Sequence, residues 1–171
     1  IEEIIAFVKA QNFKNLVAID ATASKDFVQN YIPLIQNEFH IISANKVANT
    51  LSYDFYKQLR LTLKKHDKSF LYETNVGAGL PIIETVKRLY DSGEEIKKIR
   101  GVFSGSLSYI FNEFSSHDVS FSKVLNQATT LGLTEPDARE DLSGNDVARK
   151  LLILARELNL KTEIHEVSIE S

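Results

Sequence analysis

The sequence predicts an α/β fold built on a parallel β-sheet, and two observations lead to this prediction. Short apolar runs alternate with longer amphipathic segments through the first half of the chain. Each apolar run also gives way to polar residues where it ends, as strands do in βαβ units. Because such sheets bind ligands at the carboxyl ends of their strands, we expect a site at these ends.

The first half supplies the elements of this sheet. An amphipathic helix covers residues 1–8, and strands are predicted at residues 15–20, 40–44 and 69–73. Helices with one apolar face are predicted at residues 25–38 and 52–65. The chain contains no methionine and opens within a helical pattern, which predicts that it is a piece of a longer protein.

The second half has a different pattern, which predicts a domain boundary near residue 75 and domains at residues 1–74 and 75–171. Helices are predicted at residues 81–90, 106–114 and 120–131, the last closed by Gly132. Strands are predicted at residues 96–103 and 165–169. Because two strands do not make a stable sheet, further strands are expected after Ser171.

Composition excludes several classes of function. There are no cysteines, and the four histidines are scattered, so a zinc or other transition-metal site is not expected. A net charge of −3 gives no basis for binding nucleic acid or an anionic membrane. No apolar run is long enough to span a membrane. We therefore expect a cytoplasmic protein.

The strongest local pattern is Asp146 and Lys150, four residues apart on a helix that follows Gly144. A helical wheel places Val147, Leu151, Leu154 and Leu158 on the buried stripe and Arg149 and Arg156 towards solvent. The pair then lies at the edge of the buried face. A surface pair of this spacing contributes only about 0.3–0.5 kcal/mol. A structural ion pair and a proton-transfer pair remain equally open on this geometry.

Three other segments have two interpretations each. Asn45-Lys46 follows a predicted strand and is either a solvated helix start or a cation beside a ligand. Gly77-Ala78-Gly79 is either a tight turn or a ligand loop, and it lacks the full GxGxxG pattern. Serines at 104, 106 and 108 either cap a helix or donate to a ligand. An acidic loop at residues 135–141 could hold a substrate ammonium.

Read in order, four segments resemble homoserine dehydrogenases, most closely the dehydrogenase part of bifunctional aspartokinase–homoserine dehydrogenases. They are Ala-Asn-Lys at residues 44–46, Tyr-Glu-Thr-Asn-Val-Gly-Ala-Gly-Leu-Pro at residues 72–81, Gly-Val-Phe-Ser-Gly-Ser-Leu-Ser-Tyr-Ile-Phe at residues 101–111, and the stretch from Thr134 to Lys150. The resemblance implies the C-terminal part of a Rossmann-like parallel-sheet domain, followed by a truncated α+β catalytic and dimerisation domain. The glycine-rich cofactor loop would lie before Ile1.

The resemblance also implies interconversion of L-aspartate 4-semialdehyde and L-homoserine with NADP or NAD. It implies that Lys150 donates the proton beside Asp146, and that Glu135 and Asp141 hold the substrate. Lys46, Thr22 and Ser24 would lie along the cofactor. A sodium-like monovalent cation would be bound by Glu73, Val76, Ala78 and Leu80.

The expected partners are an amino-acid substrate, further copies of the chain in a dimer or tetramer, and a fused aspartokinase domain. Two other interpretations stay open. The chain could be a non-catalytic core and subunit-contact module, inactive on its own. It could also belong to a related semialdehyde dehydrogenase or reductase, whose substrate lacks the ammonium group.

Overall fold

The structure is a computed structural model that describes residues 1–134 and 137–169. Its first half contains, in chain order, α1 (Glu2–Ala10), β1 (Val17–Asp20), α2 (Lys25–Val28), α3 (Tyr31–Gln36), β2 (His40–Ser43), α4 (Val47–Thr50), α5 (Tyr53–His66) and β3 (Phe70–Leu71). A 3-10 helix (Glu73–Asn75) then leads to α6 (Ile82–Asp91), α7 (Gly105–Ser116), α8 (Phe121–Thr130), α9 (Ala138–Leu142), α10 (Asn145–Glu157) and a second 3-10 helix (Ile164–Glu166).

The three strands form a parallel sheet in the order β1-β2-β3, as the alternating pattern predicts. Asp20 is paired in register with Ser43, so the carboxyl ends of β1 and β2 lie side by side. One face of the sheet packs on α2, α3 and α5 through a continuous apolar core. The opposite face carries exposed apolar side chains, namely Val17, Ile19, Ile42 and Leu71.

The single helix predicted at residues 25–38 is wrong, because the structure has two helices there. The Asn30 side chain bonds to the carbonyls of Asp26 and Phe27, which ends α2. Pro33 then falls in the first turn of α3, where its missing N–H costs little. In one continuous helix the same proline would remove an internal hydrogen bond. The break therefore lets the chain accommodate Pro33.

In the second half the helices are confirmed and both predicted strands are wrong. Residues 96–103 are not a strand, and within the described part of the chain no strand lies beside them to pair with. Residues 165–169 overlap a 3-10 helix instead of a strand. The predicted strand at residues 69–73 is reduced to Phe70–Leu71. The domain boundary near residue 75 stays a prediction.

Helix α10 packs at the junction between the two halves of the chain. Ile153 and Leu154 are buried against Val76 and Ile83, so the helix runs beside the segment that follows β3. This packing brings the start of α10 close to the end of β2, where Lys46 lies. In the part of the chain that the structure describes, no helix is long and apolar enough to cross a membrane.

Candidate active site

Asp146 lies between two lysines that come from different halves of the chain. Gly144 precedes α10 with a φ of 73°, a left-handed conformation that glycine adopts without strain. The helix then places Asp146 in its first turn and Lys150 one turn later. Asp146 Oδ2 is 2.6 Å from Lys150 Nζ, and Asp146 Oδ1 is 3.2 Å from Lys46 Nζ. Asp146 is 7% exposed, which confirms that the pair lies away from the water face, whereas Val147, Leu151 and Leu158 of the predicted buried stripe are only half-buried.

Lys150 has a second partner, which the sequence pattern does not reveal. Its Nζ donates to the backbone carbonyl of Phe103 at 2.7 Å, and its side chain is 17% exposed. An ammonium group has three N–H donors. Asp146 and the Phe103 carbonyl account for two of these donors, and together they hold the group beside the neighbouring cavity.

The charges around Asp146 determine its ionisation. Burial raises the pKa of a carboxyl group, but the hydrogen bond from Lys150 and the charges of Lys46 and Lys150 lower it more. The pKa of Asp146 is therefore below its ordinary value. The ionised carboxylate attracts both ammonium groups and fixes their separation.

A cavity of about 520 Å³ opens beside the two lysines. Lys46 and Lys150 form part of its wall, and the segment that contains Gly77 forms another part. Residues 99–103 line a third side. The cavity therefore combines apolar walls with three cationic residues, Lys46, Arg100 and Lys150, as small-molecule sites combine apolar surface with a few polar groups. Of the predicted site residues, it brings together Lys46, Val76, Ala78, Leu80 and Lys150.

Asp141 is buried beside the start of α7. It is 4% exposed, and its Oδ1 accepts a hydrogen bond of 2.5 Å from Ser106 Oγ. Ser106 Oγ also lies 2.9 Å from Ser104 Oγ, and Ser104 caps α7 by accepting from the N–H of Leu107. Helix capping by Ser104 is thus confirmed. Glu135, the residue expected to hold the substrate amine, lies outside the described residues.

Thr22 and Ser24 belong to a polar cluster at the carboxyl end of β1. The buried Asp20 carboxylate accepts from Thr22 N at 2.8 Å, Thr22 Oγ1 at 2.7 Å and Tyr31 OH at 2.6 Å. It also accepts from Asn45 Nδ2 at 3.0 Å. Ser24 caps α2 by accepting from Phe27 N. This cluster fixes the turn after β1 and the residue before Lys46, while contact with a cofactor stays a prediction.

The segment predicted to bind a cation forms a tight turn at the start of α6. Glu73 accepts from the N–H groups of Ile83 and Glu84 at 2.8 and 3.1 Å, which caps that helix. Among the described residues, no backbone N–H donates to the carbonyls of Val76 or Ala78. Oxygen donors of this kind suit a hard monovalent cation. The carbonyl of Leu80 already accepts from the N–H of Ile82 at 2.8 Å. The segment therefore fits the expected ligand set in part, and the binding itself stays a prediction.

Comparison with known proteins identifies the family. A sequence profile described as homoserine dehydrogenase matches residues 81–171. The chain belongs to the homoserine dehydrogenase family. It is 45% identical over 163 residues to a bifunctional aspartokinase/homoserine dehydrogenase of Buchnera aphidicola, covering 95% of this chain and 20% of that protein. It is 44% identical over 170 residues to bifunctional aspartokinase/homoserine dehydrogenase 2 of Escherichia coli, covering 99% and 21% respectively.

Solved structures share the fold of this chain. A putative homoserine dehydrogenase from Archaeoglobus fulgidus is 26% identical with a TM-score of 0.78, covering 89% of this chain and 46% of that one. A Candida auris protein of unknown function is 30% identical with a TM-score of 0.86, covering 100% and 49%. The chain spans about a fifth of the length of the curated relatives it matches. Its small parallel sheet fits a truncated Rossmann-like domain.

Sequence reasoning missed a buried polar network behind the site. Asn49 Nδ2 donates to Asn75 Oδ1 at 3.0 Å, and Asn75 Nδ2 donates to the carbonyl of Ser43 at 3.0 Å. Arg60 Nη2 donates to Asn49 Oδ1 at 2.9 Å. The sequence feature that could have indicated this network is an asparagine shortly after each of two neighbouring strands, Asn49 after β2 and Asn75 after β3. They connect α4 to the segment that carries the predicted cation ligands.

Proposed function

We propose that the protein is a homoserine dehydrogenase that interconverts L-aspartate 4-semialdehyde and L-homoserine with NADP or NAD. Membership of the family and the Lys46–Asp146–Lys150 arrangement at the wall of a cavity support this proposal. The single observation that carries it is Lys150, whose ammonium is held by Asp146 and the Phe103 carbonyl. Such a group can donate a proton to an oxygen in the cavity.

The chain's own residues have distinct tasks in this proposal. A nicotinamide, when bound, supplies or accepts the hydride. Lys150 protonates the oxygen of the aldehyde as it becomes an alcohol, and removes that proton in the reverse direction. Lys46 adds positive charge beside the same oxygen. Glu135 and Asp141 hold the substrate, with Glu135 on its ammonium group.

The cofactor contacts are proposed for Lys46, Thr22 and Ser24, near the ends of β1 and β2. One solved structure with a similar fold is that of a hyperthermophilic archaeal homoserine dehydrogenase in complex with NADPH.

We also propose a sodium-like cation at Glu73, Val76, Ala78 and Leu80. The cation site is tested by measuring the activity in a sodium salt and in the same concentration of the choline salt. A site for a small monovalent cation predicts lower activity in choline.

The relatives named above are bifunctional, so we further propose a fused aspartokinase domain. A homo-oligomer and a cytoplasmic location are likewise proposals. Mass measurement of the natural protein under native conditions checks both the fusion and the oligomer.

The decisive experiment is Lys150→Ala in the full natural protein, measured in both directions at saturating substrate. Positioned acid–base groups contribute about 10²- to 10⁴-fold, so kcat should fall by that order. Lys161→Ala, an exposed lysine just after the same helix, is the control and should retain activity. A kcat for Lys150→Ala within a few-fold of the control would refute the role.

Substrate identity is tested separately with Glu135→Gln. If Glu135 holds the ammonium group, KM for homoserine should rise strongly while kcat changes less. An unchanged KM would favour a related semialdehyde dehydrogenase whose substrate lacks that group.

A further inference from the structure

Arg156 is buried in a position where the sequence predicts an exposed residue. The helical wheel places it on the solvent side of α10, yet the structure leaves it only 1% exposed. Its guanidinium donates through all three nitrogens, to backbone carbonyls and to Glu163. The prediction for this residue is therefore wrong, and the cost of burying its charge is offset by these hydrogen bonds.

Two of these bonds hold the segment that carries Lys46. Arg156 Nη1 donates to the carbonyls of Asn49 and Leu51, each at 2.8 Å. These carbonyls lie at the end of α4, where a helix leaves its last C=O groups without internal partners. Lys46 is the residue at the opposite end of the same short helix. A shift of the end of α4 therefore carries Lys46 with it.

Helix α10 makes contact with this segment at a second point. Asp146 binds Lys46 near the start of α10, ten residues before Arg156, and ten residues of helix span about 15 Å. The two segments that build the site are thus connected at both ends, by an ion pair at the cavity and by a guanidinium behind it.

We propose that Arg156 is a positioning residue, which sets the distance between Lys46 and the Asp146–Lys150 pair through the backbone of α4. This proposal rests on the proposed function, in which these groups surround the reacting oxygen. A flat guanidinium suits the task because its fork fixes the direction of both carbonyls. Lysine retains the charge but cannot donate in two fixed directions from a planar group.

The test compares Arg156→Lys and Arg156→Gln in the full natural protein, with steady-state kinetics on homoserine. A displacement of about 1 Å at a reacting group can cost on the order of 10²-fold in rate. We expect kcat to fall by about 10- to 100-fold with little change in KM, and the pH profile of kcat to shift. The control is Tyr72→Phe, which removes the bond to Glu157 at the same end of α10 and leaves the bonds from Arg156 to Asn49 and Leu51 in place.

A second readout does not depend on activity. Limited acylation followed by mass spectrometry should label Lys46 faster in both Arg156 variants than in Tyr72→Phe, because the Lys46–Asp146 pair is loosened. If either variant fails to fold, Glu163→Gln weakens the same guanidinium contact and should shift both readouts in the same direction. The proposal would be overturned if the Arg156 variants had the same kinetics and the same Lys46 labelling rate as Tyr72→Phe, compared at the same fraction of folded protein. Changed labelling in a protein that does not turn over homoserine would instead refute the proposed function alone.

Discussion

Asp146 Oδ2 lies 2.6 Å from Lys150 Nζ, one helical turn further along α10, and the Asp146 side chain is only 9% exposed. Its other oxygen binds Lys46. One carboxylate thus serves two ammonium groups, both of which lie at the cavity wall. An oxygen that gains negative charge during a reaction would be stabilised there.

Asp146→Asn should destabilise the protein and reduce its activity. The amide retains the shape of the carboxylate but removes the negative charge that contacts the partly buried ammonium groups of Lys150 and Lys46. Hydrogen bonds to charged groups contribute about 1.5–3 kcal/mol, so we expect the free energy of unfolding to fall by about 2 kcal/mol. Urea unfolding measures this change.

The matched control is Glu84→Gln, which breaks an exposed ion pair of the same i,i+4 spacing with Arg88. Exposed pairs contribute about 0.3–0.5 kcal/mol, so this variant should unfold almost as the wild type does. Equal losses in the two variants would contradict the buried role of Asp146.

Much of the fold follows from local pattern, and the failures have a physical cause. Helices α5, α6 and α8 have an apolar stripe that local sequence specifies, and Ser52 caps α5, so their prediction is confirmed. Residues 96–103 have strand-like composition, but a strand needs a neighbour to bond with its backbone. Phe103 bonds instead to a lysine side chain, a tertiary contact that no local pattern encodes.

Local spacing likewise predicted some contacts of the candidate site and missed others. Helical spacing alone predicted that Asp146 and Lys150 meet at a buried edge. The contact between Lys46 and Asp146 joins residues a hundred positions apart, so spacing gives no indication of it. Arg156 was misplaced because a helical wheel assumes one apolar partner surface, whereas α10 is enclosed on several sides and includes charged residues in its contacts.

Acid should weaken the protein through Asp20. Burial raises the pKa of this carboxyl group, but the hydrogen bonds from Tyr31, Thr22 and Asn45 together lower it by more. The pKa of Asp20 is therefore below its ordinary value of 3.8. A lowered folded pKa means that the stabilisation is complete above that ordinary value and is lost as the pH falls through the folded pKa. The stability gap between wild type and Asp20→Asn should therefore narrow in strong acid, which urea unfolding across acidic pH measures.

Tyr31→Phe is the companion variant for Asp20. It removes the 2.6 Å hydrogen bond from the phenol while leaving the carboxylate and the core aromatic ring. The pKa of Asp20 in the folded variant should then rise towards its ordinary value, so the variant should lose less stability than the wild type as the pH falls. A stability gap for Asp20→Asn that stays constant with pH would show that the carboxylate does not titrate as proposed.

Ser106→Ala should weaken substrate binding if Asp141 holds the substrate. The serine hydroxyl orients the Asp141 carboxylate through a 2.5 Å hydrogen bond. Loss of one such bond is worth about 1 kcal/mol, so KM for homoserine should rise about fivefold with a smaller change in kcat. Ser108→Ala, an exposed serine of the same helix, is the control. Equal KM values in the two variants would exclude orientation of Asp141 by Ser106.

Gly77→Ala should disrupt the turn that forms one wall of the cavity, whereas Gly79→Ala should not. Gly77 has a φ of 82°, and an added Cβ would lie 2.5 Å from Ile82 Cγ1. The left-handed conformation alone costs about 1–2 kcal/mol for other residues, and the contact with Ile82 adds to this. At Gly79 an added Cβ meets no atom within 4 Å.

We therefore expect Gly77→Ala to lower the free energy of unfolding by about 2 kcal/mol or more. Activity should fall as well, because Val76 and Ala78 flank this glycine at the cavity. Thermal unfolding and steady-state kinetics of the two variants measure both effects. If Gly79→Ala proved as damaging as Gly77→Ala, the loss would come from reduced backbone freedom anywhere in the turn, and the steric contact with Ile82 would not be its cause.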